Sequence, residues 1–145
     1  MKYLMDLSFC AALLKAKDET LIHKLKEYNP HDFALSSVVK SELIYAARMS
    51  EHVDDNLTLL QKFFSQFESY SFDEKAAGFF GLSKAITQAA GNTGSFMGSL
   101  FGKSTSQLNN LELMQAGIAM SHDMILLTRM NKEYAKIPGI RVEIW

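Results

Sequence analysis

Three acidic residues stand beside or inside apolar segments of this 145-residue chain, where a carboxylate is unusual enough to suggest chemistry. Asp6 directly follows the apolar run Tyr3-Leu4-Met5, and Glu42 and Glu112 each interrupt an otherwise apolar helical segment. Carboxylates that share a poorly solvated site repel one another unless a cation binds them. With a single cysteine and few histidines in the chain, such a site favours a hard ion such as Mg²⁺ or Mn²⁺.

A purely structural interpretation accounts for the same residues. Isolated acids are common on solvated helix faces, so Glu42 and Glu112 can occupy such faces without any further role. Asp6 can equally cap the helix that follows it. Spacing alone leaves both interpretations open.

Other chemically active residues form weaker patterns. Residues 98–104 carry two glycines followed by Lys and Ser, as a phosphate-binding loop does, but three residues rather than four separate the glycines. This favours an insertion over a phosphate site. The four histidines lack the spacing of a metal-ligand pair on one helix. Cys10, inside an apolar helical segment, is expected to be a small buried hydrophobe.

Short apolar runs and amphipathic segments alternate along the chain and predict the elements that position the acids. Strands are expected at residues 3–5, 33–36, 70–72, 124–128 and 140–145, and helices at 8–17, 18–28, 37–47, 54–67, 73–91 and 108–121. Ser8 and Ser37 are the expected caps of the first and third helices. Strands separated by helices indicate an α/β fold with a parallel sheet between helical layers. Sites in such sheets form at the carboxyl ends of the strands, where Asp6 falls and Glu42 can reach.

Composition excludes several classes of protein. The chain has 48% hydrophobic residues, which is too many for a disordered chain, and its length suits one domain. No apolar stretch approaches the roughly 20 residues that cross a bilayer. The single cysteine excludes an internal disulfide and a cysteine-based zinc site and fits a reducing compartment. The balance of 15 basic and 16 acidic residues argues against a broad basic surface for nucleic acid, although it is compatible with local polarity.

Four segments in order resemble the PIN-domain toxins of the VapC type. They are MKYLMD at the start of the chain, SSVVKSELIY at residues 36–45, FDEKAA at 72–77 and IPGIRVEIW at 137–145. The resemblance covers the whole chain except the Gly/Ser-rich residues 91–107. It implies a single PIN-like three-layer α/β/α domain spanning residues 1–145, with an insertion at about residues 91–107, and an endoribonuclease activity that depends on Mg²⁺ or Mn²⁺.

The resemblance also implies four side chains around the metal. Asp6 and Glu42 match the first two positions, and the third falls on Glu112, where Asp is usual. The extra methylene moves the carboxylate by on the order of an ångström, which is enough to affect a metal site. The fourth falls on Met130, whose thioether is a poor ligand for Mg²⁺. Arg129, beside it, is a candidate contact for an RNA phosphate.

Three functional hypotheses follow. The first is an active endoribonuclease toxin in which Asp6, Glu42 and Glu112 hold a metal that activates water to attack RNA. The second is a catalytically degenerate PIN domain that binds an antitoxin or RNA. The third, without any family assumption, is a small α/β binding domain. The resemblance implies a cognate antitoxin, an RNA substrate and a homodimer as partners, and we expect a cytoplasmic location without membrane contact.

Overall fold

The computed structural model describes residues 1–88, 108–129 and 132–145, which form a five-stranded parallel sheet with helices on both faces. The predicted α/β fold is therefore confirmed. The strands are β1 Tyr3–Met5, β2 Phe33–Ser36, β3 Glu68–Tyr70, β4 Ile125–Thr128 and β5 Arg141–Ile144. The helices are α1 Leu7–Lys15, α2 Glu19–Leu25, α3 Ser37–Arg48, α4 Val53–Phe64, α5 Glu74–Thr87 and α6 Asn110–Ser121, with short 3₁₀ helices at Pro30–Asp32 and Lys132–Lys136. Two sequence predictions, the insertion at residues 91–107 and the site position Met130, lie outside the described residues.

The strands lie in the order β3-β2-β1-β4-β5, so the first strand of the chain occupies the centre of the sheet. Tyr3 of β1 lies opposite Phe33 of β2 on one side and Ile125 of β4 on the other. The chain first builds outward through β2 and β3 and then returns to the other side of β1. This change of direction places a topological switch point between β1 and β4, where open α/β sheets form their ligand sites. β5, predicted as a strand at residues 140–145, lies at one edge of the sheet.

Alternate side chains of the sheet enter two separate cores, because successive residues of a strand point to opposite faces. Leu4 of β1 and Leu126 of β4 are buried with α5 and α6 on one face. Met5 and Leu127, the next residues along, are buried with α1 to α4 on the other. Three layers result. None of the helices in the described part of the chain has the length and apolar character needed to cross a bilayer.

Helices α5 and α6 touch through their backbones. A Cβ atom placed on Gly117 of α6 would lie 2.6 Å from the carbonyl oxygen of Ala76 and 3.2 Å from the amide nitrogen of Phe80. Backbone atoms cannot move aside as the end of a flexible side chain can, so only glycine allows this approach. The contact fixes α6, which begins at the edge of the functional site.

The structure corrects three local predictions. β3 begins at Glu68, two residues before the predicted strand, and ends at Tyr70 because its partner β2 ends at the opposing Ser36. The predicted caps Ser8 and Ser37 are also wrong, because Asp6 caps α1 and Ser36 caps α3. Both caps are residues in extended conformation next to a strand end, which is the backbone geometry that an N-cap requires.

Candidate functional site

A cavity of about 590 Å³ opens beside the carboxyl end of β1, and all three candidate acids line it. We call it the acidic cavity; its lining residues are Asp6, Leu7, Ser8, Ala11, Val39, Glu42, Asn109, Leu111, Glu112, Gln115 and Tyr134. The acids come from three elements: the β1–α1 junction, α3 and α6. No lysine, arginine or histidine belongs to this lining within the described residues. The cavity therefore concentrates negative charge.

Asp6 is the most firmly fixed of the three acids. It is buried, its backbone amide donates to the carbonyl of Leu127 in β4 at 2.9 Å, and its Oδ1 accepts from the amide of Phe9 at 2.9 Å. The Ser8 hydroxyl donates to the same Oδ1 at 2.6 Å. Among the described residues nothing donates to Oδ2. One carboxylate oxygen thus anchors the side chain as a helix cap, and the other remains for a ligand.

The Ser8 hydroxyl links Asp6 to the end of β4. Its Oγ lies 3.2 Å from the Thr128 hydroxyl and accepts from the amide of Arg129 at 3.1 Å. From the sequence Ser8 was expected only as a helix cap, so this role was not predicted. The signal that could have found it is a hydroxyl residue two positions after an acid that ends a strand, because such a residue faces the neighbouring strand end.

Glu42 is half-buried on α3, and no described residue donates a hydrogen bond to it. Burial, followed by the negative charges of Glu112 and Asp6, raises the pKa of its carboxyl above the ordinary value of 4.5. Burial and like charges both disfavour the ionised form. The three acids line one cavity, so their charges repel one another and Glu42 would gain from a cation placed among them.

Glu112 has a second role at the start of α6. Its Oε2 accepts from the backbone amide of Asn109 at 2.8 Å, while Asn109 Oδ1 accepts from the Glu112 amide at 2.8 Å. This reciprocal pair is a capping box. The pattern Asn-x-x-Glu signals it in the sequence. The Glu112 carboxylate both lines the cavity and stabilises the helix that carries it.

Two further residues of the lining were not singled out from the sequence. Gln115 of α6 is buried, donates from Nε2 to the Met5 carbonyl at 3.0 Å and accepts from the Ser36 hydroxyl. Tyr134, in the 3₁₀ helix after β4, is also buried. Burial, followed by the charges of the three acids, raises the pKa of its phenol. The phenol therefore stays neutral and keeps a proton to donate.

Arg129, the candidate phosphate contact, lies at the end of β4 but is absent from the cavity lining. Its guanidinium pairs with Asp18, the N-cap of α2, at 2.6 Å. This pairing holds the guanidinium against the start of α2 and uses only some of its N–H donors.

The donors of the acidic cavity fit a hard divalent cation, because carboxylate, hydroxyl and amide oxygens are the ligands that such ions prefer. The raised pKa of Glu42 points the same way, since a cation would relieve the repulsion that raises it. As placed, however, no group of three Asp, Glu, His or Cys side chains in residues 1–88, 108–129 and 132–145 could hold a metal ion. Within these residues, binding of one ion by all three carboxylates therefore requires them to move closer together.

Several known proteins are similar to this chain in fold and in sequence. No profile of a known protein family matches the chain. The tRNA(fMet)-specific endonuclease VapC of Salmonella typhimurium is 30% identical over 145 residues, which cover 100% of this chain and 98% of that protein. The tRNA(fMet)-specific endonuclease VapC of Shigella flexneri is 27% identical with the same coverage. The crystal structure of DNA-bound VapBC from Salmonella typhimurium superposes with a TM-score of 0.79 at 28% identity, covering 100% of this chain and 98% of its counterpart.

Proposed function

Because this chain belongs to the VapC family of toxin ribonucleases, we propose that it is a divalent-metal-dependent endoribonuclease that hydrolyses RNA phosphodiesters in the acidic cavity. One observation carries the proposal: carboxylates from three separate elements line a single cavity beside the switch point of the sheet, with no basic residue in the described lining. An uncompensated cluster of this kind repels RNA, so a cation must accompany the substrate.

Asp6, Glu42 and Glu112 would hold the cation, which we propose to be Mg²⁺ or Mn²⁺. When bound, such an ion supplies positive charge that activates water and stabilises the charge developing on the phosphate. Asp6 offers Oδ2 while its other oxygen stays anchored to α1. Glu42 offers a carboxylate to which no described residue donates. The neutral Tyr134 phenol supplies a hydrogen-bond donor at the wall of the cavity.

Substrate and partners follow from the relatives. The Salmonella and Shigella proteins are named as tRNA(fMet)-specific endonucleases, and we propose tRNA(fMet) as the first substrate to examine. The superposed Salmonella structure is a VapBC complex, which supports a cognate antitoxin as the partner of this chain. A homodimer and a cytoplasmic location complete the proposal.

The decisive experiment is cleavage of tRNA(fMet) by the purified protein with Mg²⁺, with Mn²⁺ and with EDTA, beside Asp6→Asn. We expect cleavage with either metal, none in EDTA, and none with the variant. Cleavage that persists in EDTA or in the variant would contradict the metal-carboxylate mechanism.

A second candidate function is the degenerate PIN domain, which binds an antitoxin or RNA without cleaving. The capping role of the Glu112 carboxylate and the absence of a preformed metal cluster among the described residues favour it. In that case no RNA is cleaved with any metal, the antitoxin still binds tightly, and Mn²⁺ leaves the melting temperature unchanged.

A further inference from the structure

The side-chain amide of Gln115 lies beside the apolar core, where a buried polar group is unusual. It lies on α6 with 2% of its surface exposed, between the apolar core and the floor of the acidic cavity. Its neighbours Ala116 and Ile118 are fully buried in the core. A buried amide is costly unless its donor and acceptor are both used, so the contacts of this side chain should reveal its purpose.

Both polar atoms of the amide make hydrogen bonds, and their partners belong to different elements. Nε2 donates to the carbonyl of Met5 at the end of β1, at 3.0 Å. Oε1 accepts from the hydroxyl of Ser36 at the end of β2. The same hydroxyl oxygen accepts from the amide of Val39 at 3.1 Å and so caps α3. These partners lie 110 and 79 residues from Gln115 along the chain.

The two contacts and the position of Gln115 itself are each close to one acid of the cavity. Met5 precedes Asp6, Ser36 caps the helix that carries Glu42, and Gln115 lies one turn beyond Glu112 on α6. We propose that Gln115 is a positioning residue that holds together the three elements carrying the acids, so that their carboxylates can close on a cation and support RNA cleavage. This inference rests on the proposed function.

Two other buried polar side chains, on α5 and α6, make more local contacts among the described residues. The Ser121 hydroxyl donates to the carbonyl of Ile118, three residues earlier in its own helix. Ser83 reaches no further than the sulfur of Met120 on the adjoining helix. Methionine has nearly the volume of glutamine without its hydrogen bonds, so Gln115→Met separates the amide contacts from the packing of the core.

The test compares Gln115→Met with the wild type in two measurements below their melting temperatures: calorimetric titration with Mn²⁺ alone, and kcat and KM for tRNA cleavage. Removing a residue that orients metal ligands costs about tenfold or more in metal affinity or turnover. We expect Gln115→Met to lose at least this much in both, with little change in KM. Leu60→Val, in α4 away from the cavity, is the control for lowered stability and should retain wild-type Mn²⁺ affinity and kcat.

Ser36 provides an independent variant if Gln115→Met does not fold. Ser36→Thr keeps the hydroxyl and should retain Mn²⁺ affinity, whereas Ser36→Ala removes it and should weaken binding. When both single variants fold, combining Gln115→Met with Ser36→Ala should cost less than the sum of the two, because both remove one shared contact. Wild-type Mn²⁺ affinity and kcat in Gln115→Met, or equal affinities in the two Ser36 variants, would overturn the positioning role.

Failure of the proposed function gives a different result. A wild-type protein that binds Mn²⁺ but cleaves no RNA contradicts the nuclease, while the Mn²⁺ titrations still decide the role of Gln115. A wild type that neither binds Mn²⁺ nor cleaves RNA overturns both.

Discussion

A carboxyl group in the acidic cavity and two on the surface around it have pKa values shifted in opposite directions. On the surface, Lys2 donates to Glu68 and holds the pKa of that carboxyl below its usual range. Asp18 accepts from the Leu21 amide and pairs with Arg129, and its pKa is lowered as well. In the cavity the pKa of Glu42 is raised by burial and by two other acids.

The comparison shows that the fold keeps like charges close together in the cavity but pairs opposite charges at the surface. Surface pairs need no further ligand, whereas the cavity gathers like charges that destabilise the metal-free protein. Strained electrostatics of this kind are typical of functional sites. The difference between the two regions can be tested by changing one carboxylate at a time.

The largest effect is expected from Asp6→Asn. Asparagine caps a helix about as well as aspartate, so the melting temperature should hardly change. The oxygen proposed to bind the metal is lost, and misplacement in such a site costs about a hundredfold or more in rate. Metal-dependent tRNA cleavage and thermal melting of the same samples test this. Cleavage retained at the wild-type rate, with the melting temperature unchanged, would show that Asp6 serves only as a cap.

Glu112→Gln separates the two roles of Glu112. Glutamine also completes a capping box, so α6 should keep its stability. Loss of the charge should weaken Mn²⁺ binding by at least about tenfold, which is the cost of losing even an outer partner of a metal ligand. Calorimetry with Mn²⁺ measures the affinity, and Glu112→Ala, which removes cap and charge together, is the matched comparison. Equal Mn²⁺ affinity in wild type and Glu112→Gln would assign the residue to the cap alone.

Glu42→Gln should stabilise the metal-free protein at neutral pH. The pKa of Glu42 is raised in the folded state, so folding favours its protonated form, and stability is lost as pH rises through the folded pKa. The neutral variant escapes this loss and should melt on the order of 2 °C higher at pH 7. The difference should vanish below the ordinary value of 4.5. Melting curves in EDTA from pH 4 to about pH 7 test it, and a lower melting temperature for the variant at pH 7 would contradict it.

The smallest effects are expected at the surface pair of Arg129 and Asp18. Partly exposed ion pairs contribute about 0–1 kcal/mol, so Arg129→Ala should lose little stability. Asp18→Asn is the matched control, because asparagine keeps the cap of α2. Both variants should cleave within about twofold of wild type if the pair is structural. A rise in KM for Arg129→Ala alone would instead show that this arginine contacts RNA.

Local patterns in the sequence were sufficient for most of the fold. The apolar runs located β1 and β2 at the residues where the structure has them, and the alternation of strands and helices gave the parallel sheet. The position of Asp6 at a strand end could also be predicted, because this residue directly follows an apolar run. The boundary of β3 was not, because pairing with β2 sets it.

The supporting contacts of the site could not be predicted. Gln115 bonds to residues far away in the sequence, and no local pattern reports such a partner. The pairing of Arg129 with Asp18 likewise depends on how β4 and α2 meet in the folded protein. The capping box of Glu112 differs from these contacts, because both of its partners lie within four residues of sequence. It could have been predicted from the Asn-x-x-Glu pattern.

The central position of β1 has a consequence for the protein during its synthesis. Asp6 is fixed through its amide to Leu127, a residue made long after it. Pairings between distant parts of a chain form late because the intervening loop must close first. The acidic cavity therefore cannot assemble until β4 has left the ribosome, so the site forms only once nearly the whole chain has been made.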